Sequence, residues 1–534
     1  MKASLISVGD YLPVSFPFCL FLFLLLLLRT SRRGIFFLVR FPPHHKSLKE
    51  IIMTAKPASQ CKEGKEGRVQ DRCADGDEGL VTLLIQTLKI LIPTDISGIL
   101  MMASQTITLM FVGNHLGEKG MSEYSAGLLV FNVLAMSIVC GLGAAIDTIS
   151  SQAYGHDPHS PLIGETLQRA LVIDLVLWAL MSIFFITSKP FMVFSFGEGL
   201  GEGGALFLAH CPLYLLAQIV SGVVSKTLLA QRQPSLVALA NFVSAVASPF
   251  INYYLTPLGV HGAAWALGCT VSVCAIAVSL IAAFHPAVVI FDAPWPSPAL
   301  LRKDEWITFL RVGLPSLVAV CAEWWAFELQ ACFAVTISPL ALAVVGVFMN
   351  ILSLLFALSL GISVSASVIV GNALGSGRYK FSKRYAKFII ICDIVLGVAT
   401  AAALVYNGAF VARLYTNVPS VAKAVESTMP LVALTHMADS LQLCLQGIFR
   451  GAGQPKQAAQ GVLLTLWFVG IPSIALYVLV FKWGVKGVIG GLLTGMVFEV
   501  ILLYCLMSRW DWKKLAQKAL ELTEGEEKAL LSTN

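Results

Sequence analysis

The feature that most constrains this chain is that it is written twice. Residues 141–155 read GLGAAIDTISSQAYG and align without a gap on residues 361–375, GISVSASVIVGNALG. Gln152 then falls on Asn372, and Asp147 on Ser367. Leu88-Lys89-Ile90-Leu91-Ile92-Pro93 matches Leu310-Arg311-Val312-Gly313-Leu314-Pro315, and Gln233-Pro234 matches Gln454-Pro455. Gly259-Val260-His261-Gly262 matches Gly484-Val485-Lys486-Gly487. Four matched stretches at a near-constant offset of about 220 residues mean two homologous halves.

Each half is a succession of apolar runs. From Leu80 onward about twelve of them are long enough for a helix of about 20 residues to cross a bilayer, six in each half. The chain is 57% hydrophobic and 13% charged, where a soluble domain has about 25% charged residues. The expected fold is an all-α polytopic membrane protein, with about twelve transmembrane helices in two six-helix lobes. Six is even, so both halves enter the membrane the same way round. The repeat is therefore parallel, about an axis along the membrane normal. The N-lobe is expected at 80–284, a cytoplasmic linker at 285–307, the C-lobe at 308–508 and a cytoplasmic C-terminal tail at 509–534. Residues 53–79 are polar and mixed in charge, as in a disordered tail. Ahead of them Phe16–Leu28 is an apolar run of 13 followed by Arg29, Arg32 and Arg33, short for a span. Two readings of 1–52 stand: a signal-anchor, or a gene-model extension ahead of a start at Met53.

Loop charges set the orientation. Lys226, Arg232, Arg302, Lys303, Arg378, Lys380, Lys383, Arg384, Lys387, Arg450, Lys456, Arg509, Lys513 and Lys514 fall on one side. The other side has Lys119, Lys189, Arg413, Lys423, Lys482 and Lys486. The excess places both termini of the core in the cytoplasm. It does not choose between the plasma membrane and a vacuole-like organelle membrane. The net charge of +6 lies in these loops and does not argue for nucleic acid. The twelve cysteines are scattered singly, with no CxxC pair and no metal-ligand spacing, so they read as reduced core residues. No GxxxxGK[ST] motif is present, so ATP hydrolysed by this chain is not its energy source. No nucleophile–base set stands out at a recognisable spacing, so an enzyme is not expected. No metal or cofactor is expected either, and the chain reads as a monomer.

The most informative span is Gly313–Ser338, which carries Glu323 and Glu328 near its middle with Trp324, Trp325 and Phe327 between them. An ionisable side chain at the bilayer centre costs roughly 2.5–3.5 kcal/mol on insertion scales, so it marks a use inside the protein. Five residues apart, the two acids point roughly 140° from each other at about 100° per residue. One can face a central cavity while the other packs on neighbouring helices. The tenth span carries Asp439, Gln442 and Gln446 at i, i+3 and i+7, a polar stripe on one face. It reads as a cavity wall near Glu323, with an interhelical hydrogen-bond seam as the structural alternative. His436 and Asp95 read as structural. Asp147 is expected to fix its lobe through hydrogen bonds near the cytoplasmic end more than to carry transport, and Gln152 and Asn372 stand beside it as structural or coupling candidates. Glu499, Asp393 and Asp174 have no role legible at this stage. Pro249, Pro315 and Pro472 mark kinks, and the Gly-rich Gly197–Gly204 reads as an outer loop.

These residues resemble the multidrug and toxic compound extrusion (MATE) family, in its eukaryotic branch, over about Leu80–Trp512. The motifs run in order. Phe111-Val112-Gly113 with His115-Leu116-Gly117 follows the first span, and Asp147-Thr148 with Ser151-Gln152-Ala153-Tyr154-Gly155 closes the second. Pro315-Ser316 through Glu323-Trp324-Trp325-Ala326-Phe327-Glu328 forms the seventh, and Gly371-Asn372-Ala373-Leu374-Gly375 closes the eighth. Gly447-Ile448-Phe449-Arg450-Gly451 with Gly453-Gln454 closes the tenth. This chain departs from the pattern at Asn114, inserted where the family has Gly-His-Leu-Gly, and at Asp439, where some relatives have Glu.

The resemblance implies an antiporter that exports organic, often cationic, compounds in exchange for protons by alternating access between the lobes. It implies proton and substrate coupling at Glu323, Glu328 and Asp439. In an apolar, half-wet cavity the charged form of a carboxyl is disfavoured, so a proton and a cationic compound compete for it. Trp324, Trp325 and Phe327, with Gln442 and Gln446, would line the substrate cavity, each aromatic adding roughly 0.5–2 kcal/mol of cation–π attraction. The partners expected are therefore a small organic substrate, protons and the lipid bilayer. Two alternatives share the fold: a sodium-coupled exporter, and a lipid-precursor flippase with a more basic cavity.

Overall fold

The computed structural model describes residues 79–531 except 291, 292, 294, 298, 299, 301 and 416–418. The readings of 1–52 and 53–78 lie outside the described residues. Among the described residues every regular element is helical.

Ten helical runs among the described residues are long and apolar enough to cross a membrane. The first, Leu80–His156, is 77 residues long, about 115 Å if straight, against a hydrocarbon core of about 30 Å. It consists of α1 (Leu80–Phe131), a π segment (Asn132–Met136) and α2 (Ser137–His156). It breaks at Gly117, where φ is 65° and ψ −161°, a backbone that glycine adopts at little steric penalty. The sulfur of Met121 lies 3.1 Å from where a Cβ on Gly113 would sit. Eight residues of unbroken helix would separate their backbones by about 12 Å, so the chain turns back here and crosses twice.

The N-lobe continues with α3 (Leu162–Ile186), two short helices α4 (Lys189–Phe196) and α5 (Leu200–Ala209), then α6 (Pro212–Ala230), α7 (Pro234–Leu255) and α8 (Val260–Phe284). The Gly-rich stretch read as an outer loop is thus helical from Leu200. Gly201 and Gly204 leave no side chain between α5 and the residues packed on it, Met192 and Val193 of α4 and Gly127 of α1.

The C-lobe holds α9 (Lys303–Ile337), α10 (Pro339–Gly375), α11 (Tyr379–Tyr406), the short α12 (Gly408–Tyr415), α13 (Pro419–Gly451), α14 (Pro455–Val480, with π segments Leu463–Gly470 and Leu476–Val480) and α15 (Val485–Ser508). At 33 residues α13 is long enough to cross but less apolar, because it carries the polar stripe. With α13 and the turn at Gly117 the described chain makes twelve crossings. The C-terminal segment forms α16 (Trp512–Leu531).

The lobes interlace at the end that carries Lys226, Arg232, Arg378 and Arg450. Leu83 and Ile90 from the start of α1 belong to the C-lobe cluster built around Ile369, Tyr385, Ile448 and Phe449. Thr87 Oγ1 lies 3.0 Å from Tyr385 Oη in the same place. Reciprocally, Phe309 from the start of α9 belongs to the N-lobe cluster of Ile146, Ile149, Leu167 and Leu228, with Val312 packed against it. Arg169 of α3 pairs there with Glu165 at 3.2 Å and with Glu305 of α9. The exchange follows the repeat, since α1 and α9 are equivalent helices. Helix α16 lies across the same end. Trp512, Ala516 and Ala519 pack into the C-lobe cluster and Leu522 against the N-lobe cluster. Lipid tails are as apolar as these side chains, so close packing and hydrogen bonds hold the assembly inside the membrane.

Candidate functional site

Glu323 sits midway along α9, eight residues past Pro315, and is only 5% exposed. Two amides of α13 meet it. Gln442 Nε2 donates to Glu323 Oε1 at 2.9 Å, and Gln446 Nε2 donates to Glu323 Oε2 at 3.2 Å. The spacing of four puts both amides on one face of α13, so one carboxyl takes both. An amide nitrogen has two hydrogens, and each second contact goes to a further acid. Gln442 Nε2 donates to Asp439 Oδ1 at 3.2 Å, and Gln446 Nε2 donates to Glu499 Oε1 of α15 at 3.1 Å. The result is a chain, Asp439–Gln442–Glu323–Gln446–Glu499, drawn from three helices and buried throughout. Among the described residues none of its three carboxyls makes an ion pair.

The turn of α9 that carries Glu323 is held from both lobes. Trp467 Nε1 donates to Ala322 O at 2.9 Å, and Trp325 Nε1 donates to Val133 O at 3.1 Å. Cys321 Sγ lies 3.5 Å from Ser137 Oγ. Trp467 and Val133 both lie in π segments, which widen the turn and recur at functional sites.

Of the residues singled out in the sequence, the structure brings Glu323, Asp439, Gln442 and Gln446 together. Trp324 is half-buried. Trp325 is 38% exposed, with its indole N–H directed to the N-lobe, and Phe327 packs against the outer C-lobe cluster. Glu328 is half-buried, with no hydrogen-bond or ion-pair partner among the described residues. His436 Nε2 lies 2.9 Å from Thr400 Oγ1 of α11, so its partner is a packing neighbour. Asp393 of α11 accepts from Ser440 Oγ at 2.5 Å. Asp174 is fully buried in the N-lobe, and neither of its oxygens has a hydrogen-bond partner. Glu499 is the member that sequence reasoning left aside. Its one signal is an acid in an otherwise apolar 24-residue span.

Asp147, Gln152 and Asn372 lie elsewhere, in a seam between the lobes at the basic end. Thr148 Oγ1 donates to Arg450 O at 2.8 Å, and Gln152 Nε2 to Gly451 O at 3.0 Å. Asn372 Nδ2 donates to Ser151 O at 2.7 Å and to Ala230 O at 3.3 Å, while Arg232 Nε donates to Asn372 Oδ1 at 2.5 Å. Asp147 Oδ2 lies 2.8 Å from Lys226 Nζ and 3.7 Å from Arg450 Nε, one cation from each lobe.

The MatE family profile matches residues 93–254 and, a second time, residues 315–476. The chain belongs to the MATE family. The two matches fall in the two halves of the repeat, and the family makes the chain a multi-pass membrane transporter of the extrusion type and not an enzyme. The chain is 27% identical over 465 residues to multidrug and toxin extrusion protein 1 of Danio rerio, covering 84% of this chain and 77% of that one. It is 26% identical over 443 residues to Protein DETOXIFICATION 48 of Arabidopsis thaliana, covering 82% of each. Its fold matches the crystal structure of the eukaryotic MATE transporter AtDTX14 with a TM-score of 0.78 at 23% identity, covering 84% of this chain and 100% of that one.

Proposed function

We propose that this MATE transporter exports organic cations in exchange for protons, and that the C-lobe network carries the exchange. The observation behind this reading is the pair of amides on Glu323 and the two further acids they reach. Like charges sharing one dry site disfavour each other's ionised forms, so three neighbouring carboxyls hold protons between them. An organic cation supplies the positive charge that lets a proton leave. Proton and cation then exclude one another at one site, and alternating access turns that exclusion into antiport.

The lobes meet at the basic end, which the loop charges place in the cytoplasm. On this reading the closed end faces the cytoplasm, and both core termini are cytoplasmic. The transporter acts as a monomer, in the plasma membrane or a vacuole-like organelle membrane. The acidic C-lobe favours cations over lipid-linked anions. Two amide N–H groups occupy both oxygens of Glu323, which disfavours a sodium ion, since sodium takes oxygen ligands.

The test is accumulation of ethidium in proteoliposomes with an acid interior, with and without a protonophore. Accumulation that collapses with the protonophore supports proton antiport. Accumulation that survives it and follows an imposed sodium gradient replaces the proton with sodium.

A further inference from the structure

Glu499 has no part in the sequence motifs, yet it ends the network opposite Asp439. Its burial is complete. Oε1 takes the Gln446 hydrogen that Glu323 does not use, and Oε2 is buried with no hydrogen-bond partner. The charged and titratable groups on the surrounding helices do not neutralise it. Helix α9 offers Glu323 and α13 offers Asp439, both acids. Arg450, one turn past Gln446, is turned away, with Nη2 donating to Ser363 Oγ at 2.7 Å and Nε toward Asp147. His436 and Asp393 are engaged with Thr400 and Ser440. From α14 the nearby polar group is the Thr465 hydroxyl, which donates to Gly461 O and also interacts with the Glu499 carboxyl without supplying a charge.

The amide hydrogens are shared unequally over the network. Glu323, with an amide on each oxygen, is the member built to hold a negative charge. Asp439 and Glu499, each with one shared amide hydrogen, hold protons. The proton-loaded site carries two protons and one negative charge. A monovalent cation restores that net charge when one proton leaves, and a divalent cation restores it when two leave. We propose that Glu499 is a third proton-carrying carboxyl, and that it sets the charge capacity of the site at two, admitting divalent organic cations in exchange for two protons. This rests on the proton-antiport reading above. Removing Glu499 leaves one exchangeable proton, enough for a monovalent cation alone.

Ethidium and propidium test this, because they share one ring system and differ by one quaternary ammonium on the side arm. Export of each would be measured in proteoliposomes for the wild-type chain, Glu499→Gln and Glu499→Asp, with the membrane potential clamped. Wild type is expected to export both dyes, driven by the pH gradient and insensitive to the potential. Glu499→Gln is expected to lower propidium export at least about tenfold more than it lowers ethidium export, and Glu499→Asp to restore propidium. Equal loss of both dyes in Glu499→Gln, unchanged propidium export, or a wild type that exports ethidium alone would overturn the proposal. If wild type shows no proton-driven ethidium export, it is the antiport reading itself that fails.

Discussion

Gly155 lies against the backbone of Asn372, and Gly375, one repeat later, lies against the backbone of Gln152. Gln152 and Asn372 are themselves repeat partners, and so are Gly155 and Gly375. The pair of contacts is therefore one contact seen twice across the pseudo-two-fold axis. Gly371 meets Ser151, its own repeat partner, between them. The ends of α2 and α10 cross here at glycine because any Cβ would enter the facing backbone. Gly155→Val and Gly375→Val are each expected to hold the lobes apart at this end and to abolish export, with similar effect. Spin labels on Asp157 and Lys380 would show it as a longer distance than in the parent. An unchanged distance would mean that the crossing tolerates a side chain.

Asn372 makes three of the seam's hydrogen bonds, to Ser151, Ala230 and Arg232. Interhelical hydrogen bonds in membrane proteins average about 0.6 kcal/mol, so the five bonds of the seam hold the lobes by roughly 3 kcal/mol. Moving a two-state equilibrium from 1:99 to 99:1 takes about 5.5 kcal/mol, so a seam of this strength is one that substrate and protons can open. Asn372→Ala is expected to shift the equilibrium toward the separated form by about 2 kcal/mol, roughly thirtyfold. The same spin-label pair measures it, as a second population in place of a wholesale shift.

Asp147 stands between Lys226 of its own lobe and Arg450 of the other. Asp147→Asn leaves two cations facing each other. The three side chains are partly exposed, so solvent screening keeps the effect near 1 kcal/mol. The double variant Asp147→Asn, Arg450→Met is expected to recover most of the closed form, which a double-mutant cycle on the spin-label populations would measure.

Twelve spans, two parallel lobes and the stripe Asp439, Gln442, Gln446 were legible because each is a periodicity, at about 220 residues or at 3.6. Glu323 was legible as an acid in the middle of an apolar span. The network beyond it was not. Glu499 has Gly495, Met496 and Leu503 one turn away on its own helix, so no stripe marks its face. Its contact with Glu323 depends on how α9, α13 and α15 pack. The use of Trp325 on the N-lobe was hidden for the same reason. Its partner Val133 O is a backbone group in a π segment, and side-chain patterns do not report backbone register. The interlacing of α1 and α9 is a property of assembly, and no local pattern announces which lobe a helix start will join.

Trp467 offers a milder perturbation of the site than removing an acid. Trp467→Phe keeps an aromatic side chain, though a smaller one, and deletes the N–H that binds Ala322 O. Losing one hydrogen bond, worth about 1 kcal/mol, is expected to raise the ethidium concentration for half-maximal export several-fold and leave the maximal rate nearly unchanged. A fall in rate at unchanged half-saturation would place Trp467 in lobe movement instead.

The proposed antiport requires a cation and a proton to exclude one another at the Glu323 network. Proton release on ethidium binding tests it most directly, measured by calorimetry of the purified transporter in buffers of different ionisation enthalpy. Wild type is expected to release about one proton per ethidium bound near neutral pH, and the double variant Asp439→Asn, Glu499→Gln, still folded, to release none. Ethidium binding with no proton release in the wild type, or equal release from the double variant, would overturn the exchange.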